Sequence, residues 1–344
     1  MNGKSKETTE QEMTIELFQP VDAPAVGELF RRVYGEDYPV KYYYDPDRLN
    51  EAVAKRDTLL IVARSPRDEI MGVVSIFRSA PNPQLYEIGS GLVHPGYRSL
   101  GINNRLLTFA MENEDLRRHF QVDSIWGESV CNHIYMQKTS SHQRVVEMAI
   151  EVDLMPAEAY VKEQSAAGRV ASVAVFRTYR PLAHTIFLPP CYEDLLRFLY
   201  QDFDDSRTLQ AASETPPIGG SRTVLGEQVF DFASVARVPV HSIGEDFIGV
   251  LSALETRLQS QRTHLMQIWL KLIEPAVGWA TEGLRKKGYF FCGAFPRWFE
   301  EGDGLLMEKT LARPHWEGIQ LYSERAERLL AHIRADWERT KHIG

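Results

Sequence analysis

The chain has 344 residues, 44% of them apolar and 25% charged, the balance of an ordinary globular protein long enough for two domains. A formal charge of -8 and a pI near 5.8 exclude the basic stripe of a nucleic-acid surface. Three cysteines with no C-x-x-C pair exclude a disulfide framework and a zinc site, and no run has the length of a membrane span.

These features point to a soluble protein of a reducing cytoplasm, with no metal, no nucleic acid and no membrane among its partners. The first twelve residues, MNGKSKETTEQE, are polar and read as a disordered N-terminus. Thr14 to Phe18 reads as a strand. Asp22 is placed to cap a helix with Pro24 in its first turn, Val26, Leu29, Phe30 and Val33 on one face, and Gly35 as its stop. A tyrosine-rich loop, Tyr38 to Tyr44, and a short helix near Leu49 to Lys55 come next. The turn Ser65-Pro66-Arg67-Asp68 joins strands Leu59 to Ala63 and Ile70 to Phe77 as a hairpin.

A fourth strand, Leu85 to Val93, runs through the loop Arg98-Ser99-Leu100-Gly101-Ile102-Asn103 into a helix that buries Ile102, Leu106 and Ala110. Strands follow at Asp123 to Ser129, Val145 to Leu154 and Val170 to Tyr179, the last two parted by a polar stretch, Glu158 to Gly168. The order describes an α/β fold with a mixed sheet and helices on its faces, in which only residues 85 to 113 have parallel crossover character.

Beyond residue 180 the elements begin again. A strand at His184 to Leu188, a helix at Tyr192 to Asp202, strands at Ser221 to Val224 and Gln228 to Phe232, and a helix from Glu245 to Gln261 are expected. They are followed by the strand Leu265 to Leu272, a helix opened by Pro275 and closed by Gly288, strands Tyr289 to Ala294 and Leu305 to Thr310, and a helix opened by Ser323. The domains are therefore read as 13–180 and 181–318, with a C-terminal helix at 319–344.

A strand that ends in a short loop at a helix start aims free backbone amides and the positive end of the helix dipole at one point, where a pyrophosphate fits. Gly101 admits the ligand close to the backbone, and Arg98 adds a charged donor. The run Val93 to Leu107 resembles the cofactor motif [RQ]-x-x-G-x-[GA] of the GNAT superfamily of N-acetyltransferases, with Asn103 where Gly or Ala is usual; the likeness in element order covers residues 14 to 155. The resemblance implies acetyl-CoA as cosubstrate, held by the amides from Ser99 to Asn103, with Arg98, Leu100, Gly101 and Ile102 in the loop and the pantetheine arm beside Leu92 and Val93. It implies direct transfer of the acetyl group to a primary amine.

The attacking amine must be neutral, so a base is needed. Glu87, eleven residues before Arg98, resembles the glutamate of the histone-acetylating branch, and Glu128 is the reserve. Asn132 and Tyr135 stand where the family places a pantetheine contact and a general acid, but three residues apart; the usual spacing of seven falls on Thr139. His133 and Gln137, one turn apart, read as a structural pair, and Cys131 as a buried thiol. Tyr38, Tyr42, Tyr43 and Tyr44 either line an acceptor pocket or cover the sheet.

Residues 272 to 311 resemble the closing part of a second, degenerate GNAT-like domain without a phosphate loop, completing the acceptor pocket or supporting assembly such as a homodimer. A non-catalytic acyl-CoA sensor is the alternative, and an aminoacyl-tRNA-dependent transferase is disfavoured by the acidic balance.

Overall fold

A computed structural model of the chain describes residues 13–36, 38–158, 168–203 and 205–343. The expected disordered N-terminus and most of the polar stretch after residue 158 lie outside them. The chain is of the α/β class with mixed strand pairing, and the described residues fall into two compact units, one drawn from 13–79 with 86–127 and the other from 80–85 with 128–343.

In the first unit, β1 (Thr14–Leu17), β2 (Thr58–Arg64), β3 (Ile70–Arg78) and β4 (Leu85–Val93) pair in that order, all antiparallel. Helix α1 (Ala23–Tyr34) buries Val26, Leu29 and Phe30, and Gly35, at φ 67°, ends it by donating its N–H to Arg31. Asp22 is the capping residue by position, but its carboxylate turns back to the Gln19 N–H and to Arg64, 2.8 Å away and 42 residues on. Asp45 caps α2 (Pro46–Ala54), accepting from the Asp47 and Arg48 amides.

After β4 come α3 (Ile102–Glu112) and α4 (Glu114–Phe120), split by Asn113, whose side chain caps the second. Sequence periodicity missed α4 because it follows α3 with a single residue between them. Gly72 lets α3 lie close on β3: a Cβ there would stand 3.0 Å from the Ile102 side chain and 3.1 Å from the Leu92 carbonyl.

Strand β5 (Ser124–Val130) leads into the second unit, where α5 (Tyr135–Ser141), β6 (Val146–Pro156) and β7 (Arg169–Thr178) follow. Next come β8 (His184–Leu188), α6 (Glu193–Tyr200), β9 (Arg207–Ala211), β10 (Val224–Leu225) and β11 (Gln228–Phe230). The remaining elements are β12 (Val235–Ser242), α7 (Phe247–Ser260), β13 (Leu265–Lys271), α8 (Val277–Lys286), β14 (Phe290–Phe299), β15 (Gly302–Thr310) and α9 (Glu324–Thr340).

The strand order here is β7-β6-β14-β15-β13-β12, and β12 runs parallel to β13 over Val235–Val240 and Leu265–Leu270. The second unit thus has a parallel crossover of its own, through α7; β12 escaped notice because Pro239 interrupts an otherwise strand-like run. Among the described residues, no helix is long and apolar enough to cross a membrane.

Candidate active site

The loop after β4 is built from the strand outward. Leu92 is buried against Val73, so its side chain belongs to the core, and a ligand beside it would meet its backbone. His94 closes a 3-10 turn, Pro95–Tyr97, by accepting the Gly96 N–H on Nδ1 at 3.0 Å, and Tyr97 donates its hydroxyl to Glu69 at 2.5 Å. Arg32 lies 2.9 Å from Nε2 of the same imidazole. Burial first, then Arg32, lowers the His94 pKa and favours the neutral ring.

Beyond this turn Ser99 and Gly101 adopt left-handed backbones, φ 72° and 68°, while Leu100 and Ile102 between and after them are buried. The two apolar side chains peg the loop inward and leave its backbone facing solvent. The first helical bond runs from Arg105 N–H to the Gly101 carbonyl at 3.1 Å. Among the described residues, the amides of Ser99, Gly101 and Ile102 have no acceptor in the protein, while the Leu100 amide closes the turn at Arg98 and Ser99. Such a set, at the positive end of an 11-residue helix with exposed Arg98 beside it, suits a phosphate or pyrophosphate. Asn103 is half-buried, its Oδ1 3.6 Å from where a Gly91 Cβ would stand.

Strand β4 carries the chemistry just upstream. Its register against β3 slips between Ser75↔Gly89 and Val73↔Leu92, so Val74 faces both Ser90 and Gly91: a β-bulge, with Ser90 at φ 50°. Glu87 pairs with Phe77 on the face to which Tyr43 and Tyr38 turn. Tyr43 is fully buried, stacked on Phe30 at 4.1 Å, with its hydroxyl 2.7 Å from Ser75. The tyrosine cluster thus divides: Tyr43 covers the sheet, while Tyr38 extends its hydroxyl to Ser90. The signal for this pair was the Gly89-Ser90-Gly91 run inside a strand, a bulge signature that the sequence reading passed over.

The other expected residues, Glu128, Asn132 and Tyr135, belong to the second unit. Asn132 is buried; Tyr135 is 75% exposed, its ring 5.3 Å from that of His133. Thr139, at the spacing usual for the acid, bonds back to the Tyr135 carbonyl. Gln137 does pair with His133 through its carbonyl, but its shorter bonds reach Gln320 O and Tyr322 N–H, so it clamps α5 to that segment. Cys131 is fully buried, its thiol pushed up to about 12 by burial, which makes it a core residue and no nucleophile.

Glu128 is tied to Arg237 at 2.8 Å, and Arg237 also reaches Glu151 and Gln267. Gln267 in turn donates to Glu151 and Glu308, both fully buried. Nothing local marked this network in the sequence, because its members lie 30 to 116 residues apart wherever they touch.

A second strand-to-helix junction, β12 to α7, has the same order as the first but is filled by the chain itself. Glu245 and Asp246 accept the Gly220 and Thr223 amides, Glu245 N–H donates to Ser221, and a Cβ on Gly244 would stand 2.3 Å from the Thr223 nitrogen. Among the described residues, no group of three or more His, Cys, Asp or Glu could hold a metal.

Residues 23–133 match the family model described as "Acetyltransferase (GNAT) family". A search of curated protein sequences finds no match. Among solved structures, a spermidine N-acetyltransferase from Vibrio cholerae is 11% identical, covering 49% of this chain and 94% of its own, with a TM-score of 0.39. A ribosomal-protein-S5-alanine acetyltransferase from Vibrio fischeri is 12% identical, over 48% and 93%, with a TM-score of 0.39. A GNAT-family acetyltransferase from Staphylococcus aureus is 15% identical, over 49% and 99%, with a TM-score of 0.36. The phosphate-ready loop lies inside the segment, residues 23–133, that is similar to a domain of the GNAT acetyltransferase family.

Proposed function

We propose that the chain is an acetyl-CoA-dependent N-acetyltransferase acting on a primary amine, with one active site per chain. The observation that carries this reading is the open amides of Ser99, Gly101 and Ile102, set by the left-handed Ser99 and Gly101 ahead of α3. The pyrophosphate of CoA lies on those amides with Arg98, and the pantetheine runs back along Val93 and the backbone of Leu92. Asn132 is assigned to the pantetheine as well.

Glu87 takes the proton of the attacking amine. It lies on β4 upstream of the loop, near enough to Tyr38 to act on it electrostatically. A carboxylate grouped with a hydroxyl pair at a strand bulge favours an enzyme over an acyl-CoA sensor, which needs neither. The CoA thiolate is protonated by Tyr135 or by solvent, to which that phenol is largely exposed. The loss of a phosphate site at β12 to α7, where chain and carboxylates occupy the junction, supports reading residues 181–318 as a degenerate second copy beside a catalytic domain at 13–180. That copy serves the acceptor pocket or homodimer assembly, and the three free cysteines suit the cytoplasm.

The test is release of free CoA thiol from acetyl-CoA in the presence of a panel of primary amines. Amine-dependent release with acetylated product is the expected result. Binding of acetyl-CoA without release for any amine would favour the sensor.

A further inference from the structure

The bulge in β4 places a residue with a side chain, Ser90, in a backbone region that glycine prefers, although glycines stand on both sides of it. Keeping a hydroxyl at the one strained position calls for a role. The register slip turns Ser90 toward the sheet face that carries Glu87, and its Oγ lies 2.7 Å from the Tyr38 hydroxyl. Tyr38 is held in turn by Phe30 and Tyr34, each with ring centroids at 4.9 Å, and by Tyr43 at 5.7 Å. Between Glu87 and Ser90, Gly89 contributes no side chain and the Phe77 ring packs over it: a Cβ there would stand 3.2 Å from that ring and 3.4 Å from the Glu87 carboxylate. One face of one strand therefore presents a carboxylate and an anchored hydroxyl.

Either hydroxyl of the Tyr38–Ser90 pair can donate. The phenol is the stronger acid, and when Tyr38 O–H donates to Ser90 Oγ the Ser90 proton is left to point elsewhere. Burial, and then Tyr43, raises the Tyr38 pKa well above the phenol range, so the phenol keeps its proton at any working pH.

We propose that Ser90 is a further catalytic residue of acetyl transfer, donating a hydrogen bond to the thioester oxygen of acetyl-CoA, with Tyr38 as the positioning residue that aims it. This rests on reading the Ser99 to Ile102 loop as the acetyl-CoA site. From there the pantetheine follows β4 upstream, and Ser90 lies three residues before Val93, roughly 10 Å at about 3.3 Å per strand residue. As the amine lone pair forms the C–N bond, the carbonyl π pair moves to oxygen, and Ser90 hydrogen-bonds that oxyanion while keeping its own proton. The carbonyl re-forms, the C–S bond breaks with its pair on sulfur, the proton lost by nitrogen goes to Glu87, and one proton is returned to the thiolate.

The experiment is isotope-edited infrared spectroscopy of acetyl-CoA labelled with carbon-13 at the carbonyl, bound to the whole chain, with affinity measured in parallel by calorimetry. Ser90→Gly suits the left-handed backbone, and Tyr38→Phe keeps the ring packing. The carbonyl band is expected at lower frequency on the wild type than on Ser90→Gly, with Tyr38→Phe between them and the double variant equal to Ser90→Gly. Affinities should stay within about threefold, since the bond is one of many in the bound state. A band that is the same on wild type and Ser90→Gly overturns the proposal while leaving the acetyl-CoA site intact. Absence of acetyl-CoA binding to the wild type overturns both.

Discussion

Glu308 on β15 has no exposure, and its carboxylate accepts Gln267 Nε2 at 2.8 Å and the Val152 N–H at 2.9 Å. Burial outweighs these bonds and pushes its pKa up to about 7, from an ordinary 4.5. A raised carboxyl pKa means that the folded state holds a proton that the unfolded state has lost. Its contribution to stability is full below the unfolded value and drains away as pH rises toward the folded one. At about 1.36 kcal/mol per pK unit, the 2.5-unit difference removes roughly 3 kcal/mol between pH 4.5 and 8. The perturbation is Glu308→Gln, which cannot ionise. Its amide meets Gln267 and Val152 less well, but that cost does not change with pH, so the pH slope isolates the titration. The assay is denaturant unfolding of the second unit at pH 4.5, 6 and 8 for both proteins. The wild type should lose roughly 3 kcal/mol more than the variant over that span. Equal slopes would refute the reasoning.

Three further outcomes follow from named contacts. Gly293→Ala should destabilise the second unit by about 3 kcal/mol or more in the same assay, because φ is 145° and a Cβ would stand 2.4 Å from Ala149 on β6. Asp303 is fully buried; burial acts to raise its pKa, but Arg207 and His184 outweigh it and hold the carboxyl well below the usual range. Asp303→Asn leaves the buried Arg207 with Asp205 alone and should cost about 3 kcal/mol, and it should remove the part of wild-type acid unfolding that develops below about pH 4. Glu87→Gln should lower turnover by about 10²–10⁴-fold and flatten the acid limb of the pH–rate profile on an accepted amine; an unchanged rate and profile would remove Glu87 as the base.

What could be read from the sequence was what lies close in the chain. The loop from Arg98 to Asn103 is one strand end, one turn and one helix start, so residue types and order suffice to place its amides. Helix α9 was likewise visible from Ser323, which does cap it by accepting the Ala326 N–H. What escaped depends on partners that the sequence does not align. Asp22 reads as a helix cap, yet its carboxylate is spent on Arg64. Ser90 gains its meaning from Tyr38, 52 residues earlier, and Glu128 from Arg237, 109 residues later. Strand β12 was hidden by Pro239, which keeps its place because its carbonyl still accepts the Gly226 N–H while only its own missing donor is lost.

The central claim, that the loop after β4 holds acetyl-CoA, is tested most directly by calorimetric titration of acetyl-CoA into the wild type and Gly101→Glu. At φ 68° a residue with a side chain costs roughly 1–2 kcal/mol, and a carboxylate beside the phosphates adds repulsion of about 1–4 kcal/mol. Binding to the wild type, weakened at least about tenfold in Gly101→Glu, is the predicted result. No binding to the wild type, or equal affinity for both, would contradict it.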